Sequence, residues 1–134
     1  MRFYVDELGL EPLPTPDFGF PVIWLAAGTC QVHLFERPGE APSHAHFGLE
    51  IADFMPVYRR MKELGVLDSA AFGSTVVELP DGGIQMYVRD PAGNIVELDH
   101  PDASTVVQDE MPEYVRLADL RPQTGDQARA TLWH

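Results

Sequence analysis

The clearest pattern of apolar and polar positions in the chain lies between Gln85 and His100. Met86-Tyr87-Val88 and Ile95-Val96-Glu97-Leu98 are two short runs of strand-forming residues. Asp90-Pro91-Ala92-Gly93-Asn94 separates them with turn chemistry, Pro91 presetting its own φ and Gly93 tolerating a positive one. The pattern predicts a β-hairpin. On its second strand Val96 and Leu98 point one way, and Ile95, Glu97 and Asp99 the other. A carboxylate in mid-strand is costly unless it is paired, bound to a metal or wet, so Glu97 is the first residue to question.

The rest of the chain follows from similar signals. Met1–Leu10 reads as the end of an amphipathic helix, with Phe3, Tyr4 and Leu8 on one face and Gly9 closing it. Four prolines make Glu11–Pro21 an extended loop or edge segment. Val22–Leu25 and Cys30–Phe35 form a hairpin about Ala26–Thr29, and Arg37–Ser43 is a linker. His44–Ala52 alternates, with Phe47, Leu49 and Ile51 on one face and His46, Gly48 and Glu50 on the other. Asp53 stands as an N-cap for a helix over 54–64, with Val57, Tyr58, Met61 and Leu64 inward and Gly65 ending it. Ser74–Leu79 is a strand and Pro80–Gly83 a turn. Beyond His100 a short helix is expected over Asp109–Leu120, followed by a polar tail that turns apolar only at Leu132-Trp133.

Residues 1–36 echo residues 44–100. Glu7-Leu8-Gly9-Leu10 matches Glu63-Leu64-Gly65-Val66, and Val32-His33-Leu34 matches Val96-Glu97-Leu98. The repeated unit is strand, helix, strand, strand, strand, with His33 and Glu97 at equivalent positions. The first copy lacks its leading strand and the start of its helix. Met1 therefore stands in mid-helix without a cap, and an earlier natural start carrying that strand is expected. The resulting fold class is α+β: two βαβββ modules (1–36 and 44–100) within one domain over 1–100, plus a C-terminal extension over 101–134.

Composition narrows the partners. The 134 residues carry a formal net charge of −12, with Lys62 the single lysine. Such a surface repels phosphate backbones and anionic lipid, which argues against nucleic acid and membrane partners. No apolar run approaches the roughly 18 residues of a membrane span, and the N-terminus has no signal-peptide pattern. Cys30 is the only cysteine, which excludes an internal disulfide and makes the cytoplasm the default compartment. Without a basic neighbour in the sequence it reads as a buried apolar residue.

Phe3-Tyr4 with Leu8-Gly9-Leu10, then Val32-His33-Leu34, then His46-Phe47-Gly48-Leu49, then Arg89-Asp90-Pro91-Ala92-Gly93-Asn94 with Glu97-Leu98, together resemble the vicinal oxygen chelate superfamily. This is the group of glyoxalases, bleomycin-resistance proteins and extradiol dioxygenases. The resemblance covers residues 1–100 and implies paired modules whose sheets curl around a metal and ligand cleft. It further implies ligands on the first and last strands of each module: His46 and Glu97 in the second, and His33 on the last strand of the first. The fourth position has no counterpart in this chain. Taken alone, a strand histidine is more often a surface or hydrogen-bonded residue than a ligand. The repeat and the company of Glu97 favour the ligand reading for His46. His44, on the same face, reads as a frayed surface residue, His100 and His134 as solvated, and Glu50 as lying at the wet end of its strand. Phe18, Phe20, Trp24 and Met86 are candidates to line a ligand pocket, with Trp24, Phe20 and Met86 as the substrate contacts, although aromatic residues in such places more often serve a core or a dimer.

Two histidines and a carboxylate suit a divalent first-row ion: iron(II), manganese, nickel, cobalt or zinc. Three protein ligands leave positions for a small molecule with adjacent oxygens, and the ion would act as a Lewis acid in isomerase, lyase or dioxygenase chemistry, with Glu97 as the catalytic carboxylate. The alternative is a metal-free protein that sequesters a small molecule. The missing strand leaves a sheet edge, so a homodimer is expected.

Overall fold

The structure, a computed structural model, describes residues 1–132, and Trp133 and His134 lie outside the described residues. The chain divides into two compact units, Met1–Ala41 and a second beginning at Pro42.

The first unit opens with a single π-helical turn, Phe3–Glu7, which buries Phe3 and Tyr4. Strands β1 (Glu11–Leu13), β2 (Val22–Ala27) and β3 (Cys30–Phe35) follow in one antiparallel sheet of order β1-β2-β3. The proline-rich segment thus contributes a short edge strand, where the missing N–H of Pro12 is tolerated. β2 continues through Ala27, so the β2–β3 turn is only Gly28-Thr29. Leu25 is fully buried on one face, and Trp24 pairs with His33 on the other. Cys30, expected in the core, is exposed. It is the first residue of β3, beside the tight turn, where no layer covers it.

The second unit holds β4 (His46–Glu50), α1 (Phe54–Leu64), β5 (Val76–Glu78), β6 (Ile84–Arg89), β7 (Ile95–His100), β8 (Tyr114–Arg116) and the four-residue α2 (Leu117–Leu120). Its five strands form one open mixed sheet of order β4-β7-β6-β5-β8. β6 and β7 run antiparallel, the hairpin the 85–100 pattern predicts, and β4 pairs with β7 in parallel. The hairpin turn is built on Asp90. Its carboxylate accepts from the Ala92 and Asn94 backbone N–H groups at 2.9 and 2.8 Å and from the Asn94 amide at 2.9 Å. Gly93 takes φ +88, a conformation other residues adopt only with strain. Together these fix the register Tyr87↔Glu97 and Met86↔Leu98.

The two faces of this sheet differ. Met86, Val88, Val96, Leu98, Ile84 and Val76 are fully buried, and α1 buries Phe54, Met55, Tyr58 and Met61. The inward stripe of the helix is shifted from the expected one. Leu64 is 38% exposed and Val57 only half-buried, because the stripe runs from Phe54 through Tyr58 to Met61 and the helix ends at Gly65. Asp53 stands at the N-cap without making a side-chain capping bond.

Of the helix expected over 109–120 only the last four residues are α-helical, as α2. Tyr114–Arg116 instead extends the sheet as β8, parallel to β5. Arg59 grips Glu110 through two hydrogen bonds of 2.8 Å, and Tyr58 donates to Glu113 at 2.7 Å. The acidic residues that would line a helix face are used to tie the segment to α1, and tertiary pairing outweighs local propensity.

Candidate functional site

The polar face of the second sheet is built by register. β4 places His46, Gly48 and Glu50 opposite Ile95, Glu97 and Asp99 of β7, and β6 sets Tyr87 and Gln85 across from Glu97 and Asp99. His46 Nε2 and Glu97 Oε2 face each other at 3.5 Å. The other ring nitrogen of His46, Nδ1, lies 2.8 Å from the His44 carbonyl. A carbonyl only accepts, so Nδ1 carries the proton and Nε2 presents a lone pair in the neutral ring. This arrangement is common behind metal-binding histidines, where a carbonyl fixes tautomer and orientation.

Glu97 is steadied from the other side. The Tyr87 hydroxyl hydrogen-bonds with it and accepts from Gln85 Nε2 at 2.5 Å. Burial first, then the hydrogen bond and charge of Glu97 and the charge of Asp99, push the Tyr87 phenol well above its usual range, so it stays a neutral donor. Asp99 sits behind Glu97 and is 7% exposed. Burial, then the Glu97 charge and hydrogen bond, and finally Glu50, raise its carboxyl from 3.8 to about 7. Its Oδ1 is buried and finds no hydrogen-bond partner. Gly48 makes room for this side chain: a Cβ there would lie 2.8 Å from Asp99 Oδ2.

An aromatic wall borders the pair. The Phe72 ring contacts His46 edge-on at 5.1 Å and Tyr87 at 4.6 Å, and Tyr87 meets His46 at 5.7 Å.

The structure thus brings His46 and Glu97 together. Their 3.5 Å separation is roughly the N···O edge of a tetrahedral shell with bonds of about 2.1 Å. An imidazole lone pair and a carboxylate fit two positions of a divalent first-row ion. Among the described residues no group of three or more His, Cys, Asp or Glu side chains is arranged to hold a metal ion. His33 belongs to the first unit, where its ring stacks on Trp24 at 4.5 Å and 9° and its Nε2 lies 3.1 Å from Gln31 Oε1. Phe20 and Trp24 join Phe18 and Phe35 in an aromatic cluster of that unit. Met86 is displaced from the role expected of it. It alternates out of the Tyr87 face and is fully buried in the core, away from His46 and Glu97. His100 is half-buried rather than solvated, its Nδ1 3.0 Å from the Ile51 carbonyl. His44 is exposed and serves through its carbonyl. Tyr87, Asp99 and Gly48 escaped selection in the sequence, although the hairpin register puts Tyr87 across from Glu97 and strand alternation puts Asp99 on the same face. Phe72 carries no sequence signal, since it lies in a loop.

Comparison with known proteins agrees with this architecture. Residues 1–98 match the model of the Glyoxalase/Bleomycin resistance protein/Dioxygenase superfamily, and the chain belongs to that superfamily. Solved structures with the same fold include a protein described as a glyoxalase family member from Bacillus anthracis, with a TM-score of 0.59 and 23% identity over 75% of this chain and 80% of that one. A lactoylglutathione lyase from Agrobacterium tumefaciens matches with a TM-score of 0.54 and 24% identity, over 74% of this chain and 81% of its own. A superfamily member from Sphaerobacter thermophilus gives 0.54 and 24% over 74% and 83%. No curated protein matches the sequence. Among the described residues no helix is long and apolar enough to cross a membrane.

Proposed function

We propose that the protein is a divalent-metal-dependent enzyme of the glyoxalase and dioxygenase type, acting on a small molecule with two adjacent oxygens. One observation carries this reading: His46 Nε2, with its tautomer set by the His44 carbonyl, faces Glu97 Oε2 at 3.5 Å on the neighbouring strand. His46 and Glu97 would hold the ion, and His33 is the candidate third ligand. A bound first-row ion, whether iron, manganese, nickel, cobalt or zinc, supplies Lewis-acid stabilisation of an oxyanion. The chain supplies the rest. The His44 carbonyl fixes the tautomer of the imidazole and aims its Nε2. Tyr87 donates to Glu97 and restrains the carboxylate. Glu97 would take a proton from the ligand, with Tyr87 and Phe72 bordering the site on the aromatic side.

On this reading residues 1–100 are the catalytic domain, and 101–134 an extension that lends β8 to its sheet. A homodimer follows from β3, an edge strand where the repeat expects a further strand. A monomer across the micromolar range in sedimentation would refute that part.

The second reading is metal-free sequestration of a small molecule, favoured by the lack of a third donor among the described residues. Metal content decides between them. Protein purified without chelator should carry stoichiometric first-row metal. His46→Ala and Glu97→Ala should each nearly abolish it with the fold retained, and His33→Ala should weaken it less. Unchanged metal in Glu97→Ala would overturn the ligand assignment. No binding at micromolar metal would leave sequestration as the function.

A further inference from the structure

Phe72 is 42% exposed, yet it is not a loose surface side chain. Its ring touches His46 at 5.1 Å, Tyr87 at 4.6 Å and His44 at 6.0 Å. The loop that carries it is anchored to β6 at Asp68 and closed by an internal turn. Asp68, 8% exposed, donates its backbone N–H to the Tyr87 carbonyl at 2.9 Å, and its carboxylate takes Arg89 Nε at 2.9 Å and the Ala71 N–H at 3.0 Å. The Gly73 N–H returns to the Ser69 carbonyl at 2.8 Å. An isolated exposed phenylalanine needs no explanation. Here a hydrogen-bonded loop holds one against the ring of a histidine that also faces Glu97, and part of that apolar surface stays open. Leaving it uncovered is unfavourable unless something apolar comes to rest on it.

We propose that Phe72 is the specificity-determining residue of the site and receives a flat apolar group, an aromatic ring above all, attached directly to the pair of oxygens that the ligand presents to His46 and Glu97. This rests on the reading of that pair as the ligand-contacting centre. The wall is one-sided: Phe72 and Tyr87 lie next to His46, while the carboxyl groups of Glu97 and, farther along β4, Glu50 make the other side acidic. A ligand with an apolar side and an oxygen-bearing side can therefore take only one orientation. A purely aliphatic, small ligand would leave Phe72 wet.

Benzohydroxamate and acetohydroxamate test this. They share two adjacent oxygens and differ only in phenyl against methyl. Their affinities are measured by calorimetry on metal-loaded wild-type protein, Phe72→Ala and Phe72→Tyr, and again on chelator-treated samples. Wild type should prefer the phenyl compound about tenfold. Phe72→Ala should cut that preference at least fivefold, weakening benzohydroxamate far more than acetohydroxamate while metal content is retained, and Phe72→Tyr should restore it. A phenyl preference that survives metal removal and disappears in Phe72→Ala upholds the wall even where the metal reading fails. Equal affinities for the two compounds in both forms of the wild type, undetectable binding of both included, would overturn the proposal. So would a preference unchanged by Phe72→Ala.

Discussion

Replacing Arg89 by Ala tests how the aromatic loop is held. Arg89 is the last residue of β6, and it joins two parts of the unit. Its Nε donates to Asp68 at 2.9 Å and its NH1 to the Gly93 carbonyl at 2.8 Å. The Arg89 side chain is 31% exposed and that of Asp68 only 9%. Burial by itself would raise the Asp68 carboxyl. The Arg89 hydrogen bond, the Ala71 N–H and the Arg89 charge outweigh it and hold the group below its usual range. Arg89→Ala removes the cation and leaves a buried carboxylate with backbone donors alone.

Breaking a fully buried pair costs about 3–5 kcal/mol. The partly wet guanidinium lowers that to about 2–3 kcal/mol, since water already screens one partner. The pH dependence has a definite sign. The folded-state carboxyl lies below its unfolded value of 3.8, so the stabilisation is present above that pH and is lost as pH falls through the folded value. Urea unfolding at pH 7 and near pH 3 measures both effects. The gap between wild type and Arg89→Ala should be widest at pH 7 and should shrink as pH falls below 3.8, and Asp68→Asn should reduce the effect of Arg89→Ala in a double-mutant cycle. A loss below about 0.5 kcal/mol at pH 7, or a gap that does not change with pH, would refute the reasoning.

Two further outcomes follow from the polar face. Gly48→Ala puts a methyl 2.8 Å from Asp99 Oδ2 and should cost about 1–3 kcal/mol by chemical denaturation; the loss should shrink in an Asp99→Ala background, and an equal loss in both would exclude the steric cause. Asp99 holds its proton up to about pH 7 in the folded chain but only to 3.8 unfolded, so in chelated protein its contribution to stability should decline as pH rises through that window. Asp99→Asn should flatten the decline, and identical pH profiles for wild type and variant would refute it.

The sequence exposed some layers of this molecule far better than others. The β6–β7 hairpin and its facing were legible because Asp90, Pro91, Gly93 and Asn94 specify the turn locally, and alternation does the rest. The second unit's strand–helix–strand order was legible for the same reason. Phe54 and Met55 were missed as core because the ends of a helix stripe depend on where neighbouring elements stop. The β8 segment is not legible in the sequence, since its fate is set by pairing with β5 and by Arg59 and Tyr58, all distant in sequence. The site divides likewise. His46 and Glu97 were found through a motif, whereas Phe72 reaches the same place through a loop whose path is fixed by the long-range Asp68–Arg89 pair.

The two hairpins place corresponding side chains in corresponding cross-strand pairs: Trp24 opposite His33, and Tyr87 opposite Glu97. In each, the last strand offers a side chain able to bind a cation, and the strand before it supplies an aromatic ring. The chemistry of the ring follows that of its partner. An imidazole can be held by stacking, and Trp24 lies parallel to His33 at 4.5 Å. A half-buried carboxylate needs a donor, and the neutral Tyr87 hydroxyl supplies one. Glu97 then shares its face with the largely buried Asp99, an arrangement that is electrostatically unfavourable unless a proton or a cation comes between them. Structural stability alone gives no reason to set two acids two residues apart on one buried strand face, with a glycine opposite to make room. On the proposed reading, a cation held by His46 and Glu97 would relieve that repulsion.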